Sequence, residues 1–374
     1  MGKQGKKIID TNFTGLERVN ELIKGYIEND SIPGINYAVI TSASTSDKLG
    51  FESIIMASLG YRALWPEKVK NGVNTLYDLA SLTKVISTAL IVLRAQEAGL
   101  LRIDDPISKY LKDYPYKDIT IKHLLTHSSG LPADLPYKDI VSKGKIKDDI
   151  FKLTKEYPTG MDVKYSDIDF ILLGFALENI YQKPLNIIAE EQVFGPLNMQ
   201  STCYNPDINY CAPTEVLSKN KVIRGKVHDE KARSLGGVAG HAGIFSNLAD
   251  LSLLSLMLLN DGIIETEAKT SKRYLSKESI DLIFEPAAKG IEDNRSRSVG
   301  GWIVGDNSDV INDRNGVISF SGFTGPSIVI DKDSNLAIII LTNRIHISRD
   351  APIVSIRQQL INEIYKKYNK VLTK

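Results

Sequence analysis

Cysteine is scarce in this chain: Cys203 and Cys211 are the only two among 374 residues. Two thiols eight positions apart make neither a disulfide framework nor a metal cluster. No run approaches eighteen apolar residues, so no membrane-spanning helix is expected. An excess of charge of either sign is also lacking. Lys and Arg total 46 against 45 Asp and Glu, a formal net charge of +1. With both signs interspersed, neither nucleic acid nor an anionic membrane surface is expected as a partner. The start, Met1 to Lys7, is basic but runs into an amphipathic pattern rather than a continuous apolar stretch. No signal peptide is read there, which points to the cytoplasm, or to the cell exterior if a leader has been removed. Internal repeats and low-complexity segments are missing as well.

What is present is a large apolar fraction, 43% of the residues, enough for one large domain or two smaller ones. Leu16, Val19, Leu22, Ile23, Tyr26 and Ile27 have helical spacing, and Pro33-Gly34 then breaks the chain. Strand-like runs follow at 35–41 and 53–60. The middle reads mostly as helices, 122–125 and 170–180 among them. Strands return at 301–304, 317–320, 327–331 and 336–342. A last helix over about 353–368 carries Ile353, Ile356, Leu360, Ile364 and Tyr368 on one stripe. The pattern predicts an α+β chain with one sheet built from both ends (residues 10–83 and 215–374). A mainly helical domain (84–214) is inserted between them, and the site lies in the cleft where the two meet.

Ser81 and Lys84 open an apolar helical run of Val85, Ile86, Ala89, Leu90, Ile91, Val92 and Leu93. Positions three apart share a helix face, so hydroxyl and amine stand side by side. A serine hydroxyl needs a base beside it to act as a nucleophile. A desolvated lysine, or one near another cation, has a lowered pKa and can be that base. At the helix N-terminus the Ser81 N–H points to where an oxyanion would form. The bland alternative is a capping serine beside a solvated lysine, but such a dense apolar run does not suit an exposed helix. The Ser-x-x-Lys spacing is also used by penicillin-recognising enzymes.

Two further constellations follow. Tyr165-Ser166-Asp167 precedes a buried helix. Tyr165 either packs structurally or carries a proton, its pKa lowered by a cation such as Lys84. Asp167 binds a substrate amide, pairs with a lysine, or caps the helix. Phe320-Ser321-Gly322-Phe323 lies between strands. It is either a plain turn or an edge lining a site, with Gly322 allowing close approach to substrate and the Phe323 N–H as a second oxyanion donor.

Together, in this order and spacing, the three resemble the class C β-lactamase superfamily, which includes penicillin-binding D,D-peptidases, esterases and related amidases. Thr126-His127-Ser128-Ser129-Gly130-Leu131-Pro132 and Gly240-His241-Ala242-Gly243 look like further family segments, and the resemblance spans residues 15–365. It implies a β-lactamase/transpeptidase-like fold with an antiparallel sheet flanked by helices. It also implies Ser81 as acylated nucleophile, Lys84 and Tyr165 sharing acid and base work, and an oxyanion hole from the Ser81 and Phe323 N–H groups. Asp167 stands where the family often has Asn. No metal or organic cofactor is implied. Arg224 to Glu230 and Leu341 to His346 look like a branch that includes N-acetylmuramoyl-L-alanine amidases of cell-wall recycling. There His228 and Asp229 bind substrate, assist the chemistry or serve structure, and Arg344 contacts substrate or caps a strand end. His127 is expected to be structural.

One departure is Phe320, where the family has Lys or His. Phe320 implies an apolar wall and poor hydrolysis of penicillins, unless a cation such as Arg224, His228 or Arg344 reaches in. The expected function is a serine hydrolase that forms an acyl-enzyme on amide bonds of peptidoglycan fragments, so a small molecule or muropeptide is the expected partner. A carboxylesterase, a β-lactamase and a non-catalytic binder of wall fragments are the alternatives.

Overall fold

The computed structural model describes residues 7–9, 16–42, 53–136, 139–218, 221–265, 270–291, 294–305 and 316–372. A ten-stranded sheet joins the two ends of the chain. Its spatial order is Lys7–Ile9, Ser53–Ala63, Gly34–Thr41, Leu336–Leu341, Ser327–Asp331, Val317–Ser321, Ile303–Val304, Ser296–Ser298 and Pro286–Lys289, with Val69–Lys70 pairing off this path. The first pair is parallel. All other pairings in this sheet are antiparallel among the described residues. The seam between the chain ends runs from Leu336 opposite Thr41 to Leu341 opposite Asn36.

Both faces of the sheet are covered, which is why its central strands are apolar almost throughout. On one face Val39, Ile338 and Ile340 pack with Val19 and Ile23 of the helix Glu17–Glu28 and with Ile356, Leu360 and Ile364 of Ile353–Leu372. On the other face Ala38, Ile40, Ile339 and Leu341 join a larger core. That core takes in the helices Ala89–Glu97, Asp167–Tyr181 and Leu248–Leu259. Asn247 caps the last of these, its side chain accepting the Asp250 N–H at 3.0 Å. Helices also occupy Glu230–Ser234 and Lys277–Phe284, in a stretch where the sequence pattern assigned no element.

The strand expected from residue 301 starts at Ile303 instead. Gly301 has a φ of 79° and forms the turn before it. The helical run after Ser81 opens with a π-helical turn, Lys84–Thr88, before the regular helix from Ala89. Such widened turns are frequent at functional sites.

Candidate active site

The turn before Ser81 is held from below. Ala80 adopts the left-handed region at φ 46°, a conformation that costs energy for a residue with a Cβ. Its N–H donates to Asp78 Oδ1 at 2.9 Å, and Asp78 Oδ2 accepts the His228 N–H at 2.6 Å. The Asp78 carbonyl accepts the Thr324 hydroxyl at 2.6 Å. One buried aspartate therefore ties together the Ser81 turn, the His228 segment and the loop after the Val317–Ser321 strand. Burial pushes its carboxyl up to about 6. Sequence reasoning missed Asp78, although an Asp two residues before the N–H it accepts is a recognisable turn signal.

Ser81, Lys84 and Tyr165 converge. Ser81 Oγ accepts a hydrogen bond from Lys84 Nζ at 3.1 Å and another from the Tyr165 hydroxyl at 2.7 Å. Lys84 is fully buried. Its ammonium also donates to the His241 carbonyl at 3.1 Å and pairs with Asp167 Oδ1 at 2.7 Å. The glycine-rich segment makes the His241 contact possible. A Cβ on Gly240 would sit 2.1 Å from the Phe170 carbonyl oxygen, so only glycine lets this segment cross the 167–181 helix closely enough.

The expected lowering of the Lys84 pKa is reversed. Burial alone would push it down, but the Asp167 charge and hydrogen bond, with Tyr165, hold it above the ordinary lysine value. Tyr165 is likewise raised rather than lowered: burial of the hydroxyl and Asp167 outweigh the pull of Lys84. The Asp167 carboxylate, where a neutral amide would carry no charge, is the leading cause of the Lys84 reversal, whereas burial leads for Tyr165 and Asp167 adds to it. Asp167 is also not the helix cap. That place belongs to Ser166, whose hydroxyl donates to the Pro132 carbonyl at 2.7 Å.

Neither the Ser81 N–H nor the Phe323 N–H has an acceptor among the described residues. The Phe323 peptide is clamped. Arg344 Nε donates to its carbonyl at 2.9 Å, and the Phe323 ring contacts both His228 (5.6 Å, stacked) and the Arg344 guanidinium (4.8 Å). His228 Nε2 bonds Glu215 Oε2 at 2.9 Å, and Glu215 is gripped by Arg349 at 2.6 and 2.7 Å. Arg344 also donates to the Arg349 carbonyl. Gly322 does make a close approach, but to the nucleophile turn: its Cβ would lie 2.4 Å from the Leu79 carbonyl oxygen.

Asp229 caps the Glu230–Ser234 helix and accepts from His241 Nε2 at 2.8 Å. Despite burial, the His241 ring holds its carboxyl well below the usual range. Asp167, Asp229 and His241 bring ligand atoms within 4.8 Å of one another, the one such donor set among the described residues. The Lys84 ammonium already pairs with Asp167 there. His127 packs against the Tyr165 ring at 4.7 Å. It is held neutral mainly by burial, with help from Arg297 and Lys84.

Ser81, Tyr165, Phe320, Ser321, Gly322, Phe323 and Arg344 all line one cleft of about 650 Å³. Phe320 does not leave it apolar. The Arg297 guanidinium lies 5.7 Å from both the Phe320 and the Tyr165 ring centres. Arg224, one of the cations named as an alternative to an apolar wall, bonds to the Cys211 and Asn209 carbonyls. Arg297 escaped sequence reasoning because its short strand, Ser296–Ser298, carries no motif and meets the site only through sheet pairing.

A family model described as Beta-lactamase matches residues 19–362. A protein of Escherichia coli O157:H7 named "Putative D-alanyl-D-alanine carboxypeptidase" is 30% identical over 88% of this chain and 83% of its own length. An "N-acetylmuramyl-L-alanine amidase" of Bacillus subtilis (strain 168) is 31% identical over 75% of this chain and 70% of its own. Among solved structures, a class C beta lactamase from Rhodobacter sphaeroides superposes with a TM-score of 0.71, at 17% identity over 92% of this chain and 99% of that one. An octameric penicillin-binding protein homologue from Pyrococcus abyssi gives 0.74, at 19% identity over 95% and 78%. These last two likenesses show the fold, which is of the β-lactamase/transpeptidase type.

Proposed function

The chain belongs to the beta-lactamase family, and from that premise we propose that it is a serine hydrolase whose Ser81 is acylated by amide bonds of peptidoglycan fragments. The observation that carries this reading is the pair of hydrogen bonds converging on Ser81 Oγ from Lys84 and Tyr165. One proton must leave the Tyr165–Lys84 pair before the pair can take the proton of Ser81. Ser81 Oγ then attacks the carbonyl, and the oxyanion forms between the Ser81 and Phe323 N–H groups. The same pair returns the proton to the departing amine, and water hydrolyses the ester. The choice of substrate leans on relatives named as a carboxypeptidase and an amidase.

The test is mass spectrometry of the protein and of candidate muropeptides after incubation, with Ser81→Ala alongside. A cleaved amide bond and a transient acyl adduct on Ser81 are expected, and Ser81→Ala should lose turnover by several orders of magnitude while remaining folded. Full activity in Ser81→Ala would end the reading. Failure of the wild type to turn over a neutral activated ester would favour a wall-fragment binder instead.

A further inference from the structure

Asp169 is fully buried, and the Ser81 mechanism makes no use of it. It sits two residues past Asp167 in the first turn of the helix Asp167–Tyr181. Its two oxygens have different partners. Oδ1 accepts the Ser129 hydroxyl at 2.6 Å, and Ser129 Oγ in turn accepts the Leu131 N–H at 3.1 Å. Oδ2 lies 3.3 Å from His127 Nδ1.

His127 brackets Tyr165. Its carbonyl accepts the Lys164 N–H at 2.9 Å, and its Nδ1 accepts the Ser166 N–H at 3.2 Å. The residues on both sides of Tyr165 therefore hang on His127, and the two rings pack at 4.7 Å. From this bracket the Tyr165 hydroxyl reaches Ser81 Oγ.

A ring nitrogen that accepts an N–H carries a lone pair and no proton. His127 Nδ1 therefore faces Asp169 Oδ2 as an acceptor. A carboxylate there would set lone pair against lone pair, and a proton on Nδ1 would set it against the Ser166 N–H. A carboxyl proton on Oδ2 satisfies every group: Oδ2 donates to Nδ1 while Oδ1 accepts from Ser129. The surroundings agree. Burial, with Asp167 nearby, pushes the Asp169 carboxyl well above the usual range, against the Ser129 hydrogen bond and the Lys84 charge.

We propose that Asp169 is a positioning residue for Tyr165, acting through His127 as the donor of a carboxyl proton to Nδ1. It touches neither substrate nor reacting atoms. One helix turn then carries two acids with different tasks. The Asp167 carboxylate holds Lys84, and the Asp169 carboxyl holds the bracket around Tyr165. The proposal rests on the serine hydrolase reading above.

Two measurements test it. The first is nitrogen NMR of protein labelled at histidine, with the His127 signals assigned by their loss in His127→Asn, since Asn tolerates the φ of 57° found here. The ring proton is expected on Nε2, and a proton on Nδ1 overturns the proposal. The second is a double-mutant cycle on p-nitrophenyl acetate, a neutral activated ester. Asp169→Leu should lower kcat by about 10-fold to 100-fold with little change in KM, the effect of a displaced catalytic group. In a Tyr165→Phe background the same substitution should cost almost nothing further, because the hydroxyl it positions is already gone. Asp169→Asn should keep most of the wild-type kcat. Its amide N–H replaces the carboxyl donor, and its carbonyl still accepts from Ser129.

Equal losses in both backgrounds overturn the proposal, as does Asp169→Asn falling as far as Asp169→Leu. If Asp169→Leu yields no folded protein, a loss in Asp169→Asn as large as that in Tyr165→Phe overturns it. The two levels fail separately. Wild type that cleaves the ester and is impaired by Tyr165→Phe, but is indifferent to Asp169→Leu, refutes the positioning role alone. Wild type that cleaves neither the ester nor muropeptides refutes the hydrolase reading, and the positioning role with it, whichever His127 nitrogen carries the proton.

Discussion

The Lys84 ammonium lies 2.7 Å from the Asp167 carboxylate, in a position where no part of Lys84 reaches solvent. Burial is the largest single influence and disfavours a lone ammonium, but the Asp167 carboxylate at contact distance and the Tyr165 hydroxyl together outweigh it. The resting site therefore holds a charged lysine and a neutral tyrosine phenol, both pKa values displaced upward. A base is available only after one proton leaves.

The first consequence is a pH profile. On a neutral activated ester, kcat/KM should still be rising well above neutral pH, because the deprotonated form of the Tyr165–Lys84 pair gains population only there. In Asp167→Asn the attraction that raises Lys84 disappears, and so does one of the charges that raise Tyr165. Its rising limb should lie at lower pH than that of wild type. Stopped-flow or pH-stat kinetics on both proteins decide it; a limb that stays in place or moves to higher pH would refute this account of the pair.

Tyr165→Phe removes the donor 2.7 Å from Ser81 Oγ and leaves the ring that packs on His127. Turnover should fall by about 10²–10⁴-fold, the usual weight of a positioned proton carrier. Stability should change by only about 1 kcal/mol, one hydrogen bond's net worth. Parallel kinetics and thermal melts would expose a purely structural tyrosine, whose loss lowers Tm without a matching loss of rate.

Asp78 ties three segments and should show itself in stability. Asp78→Ala leaves the Ala80 and His228 N–H groups without their acceptor, a cost of roughly 2–4 kcal/mol. The pH dependence has a definite sign. The carboxyl titrates near 3.8 when unperturbed and is pushed up to about 6 in the fold. Between those values the folded protein keeps a proton that the unfolded chain releases. The stability associated with that proton is complete below about 3.8 and lost as the pH rises through about 6. Asp78→Asn should flatten this slope in denaturant melts between about pH 4 and pH 7. A slope equal to wild type would assign the titration to another group.

Arg344 distinguishes positioning from substrate contact. It holds the Phe323 carbonyl and flanks the Phe323 ring, so Arg344→Met should loosen an oxyanion donor. A loss of about tenfold in kcat with little change in KM is expected, less than deleting such a donor outright. A raised KM at unchanged kcat would make Arg344 a ground-state substrate contact instead.

Local sequence determined a great deal here. The continuous apolar composition and the length of the runs at 327–331 and 336–342 located strands within one residue of their ends, because an apolar β-branched run bounded by turn residues has few other conformations. The Ser81–Lys84 neighbourhood was legible for the same reason: residues three apart on a helical turn must be close. Tertiary structure alone decided the charge state. Whether Lys84 is raised or lowered depends on which group from residues 165–241 meets it, and neither the Gly240 crossing nor the Asp167 contact is encoded in local spacing. Arg297 is the clearest case. Strand pairing carries it to Phe320, 23 positions along the chain, and electrostatic contact is a property of distance in space, to which separation in sequence gives no guide.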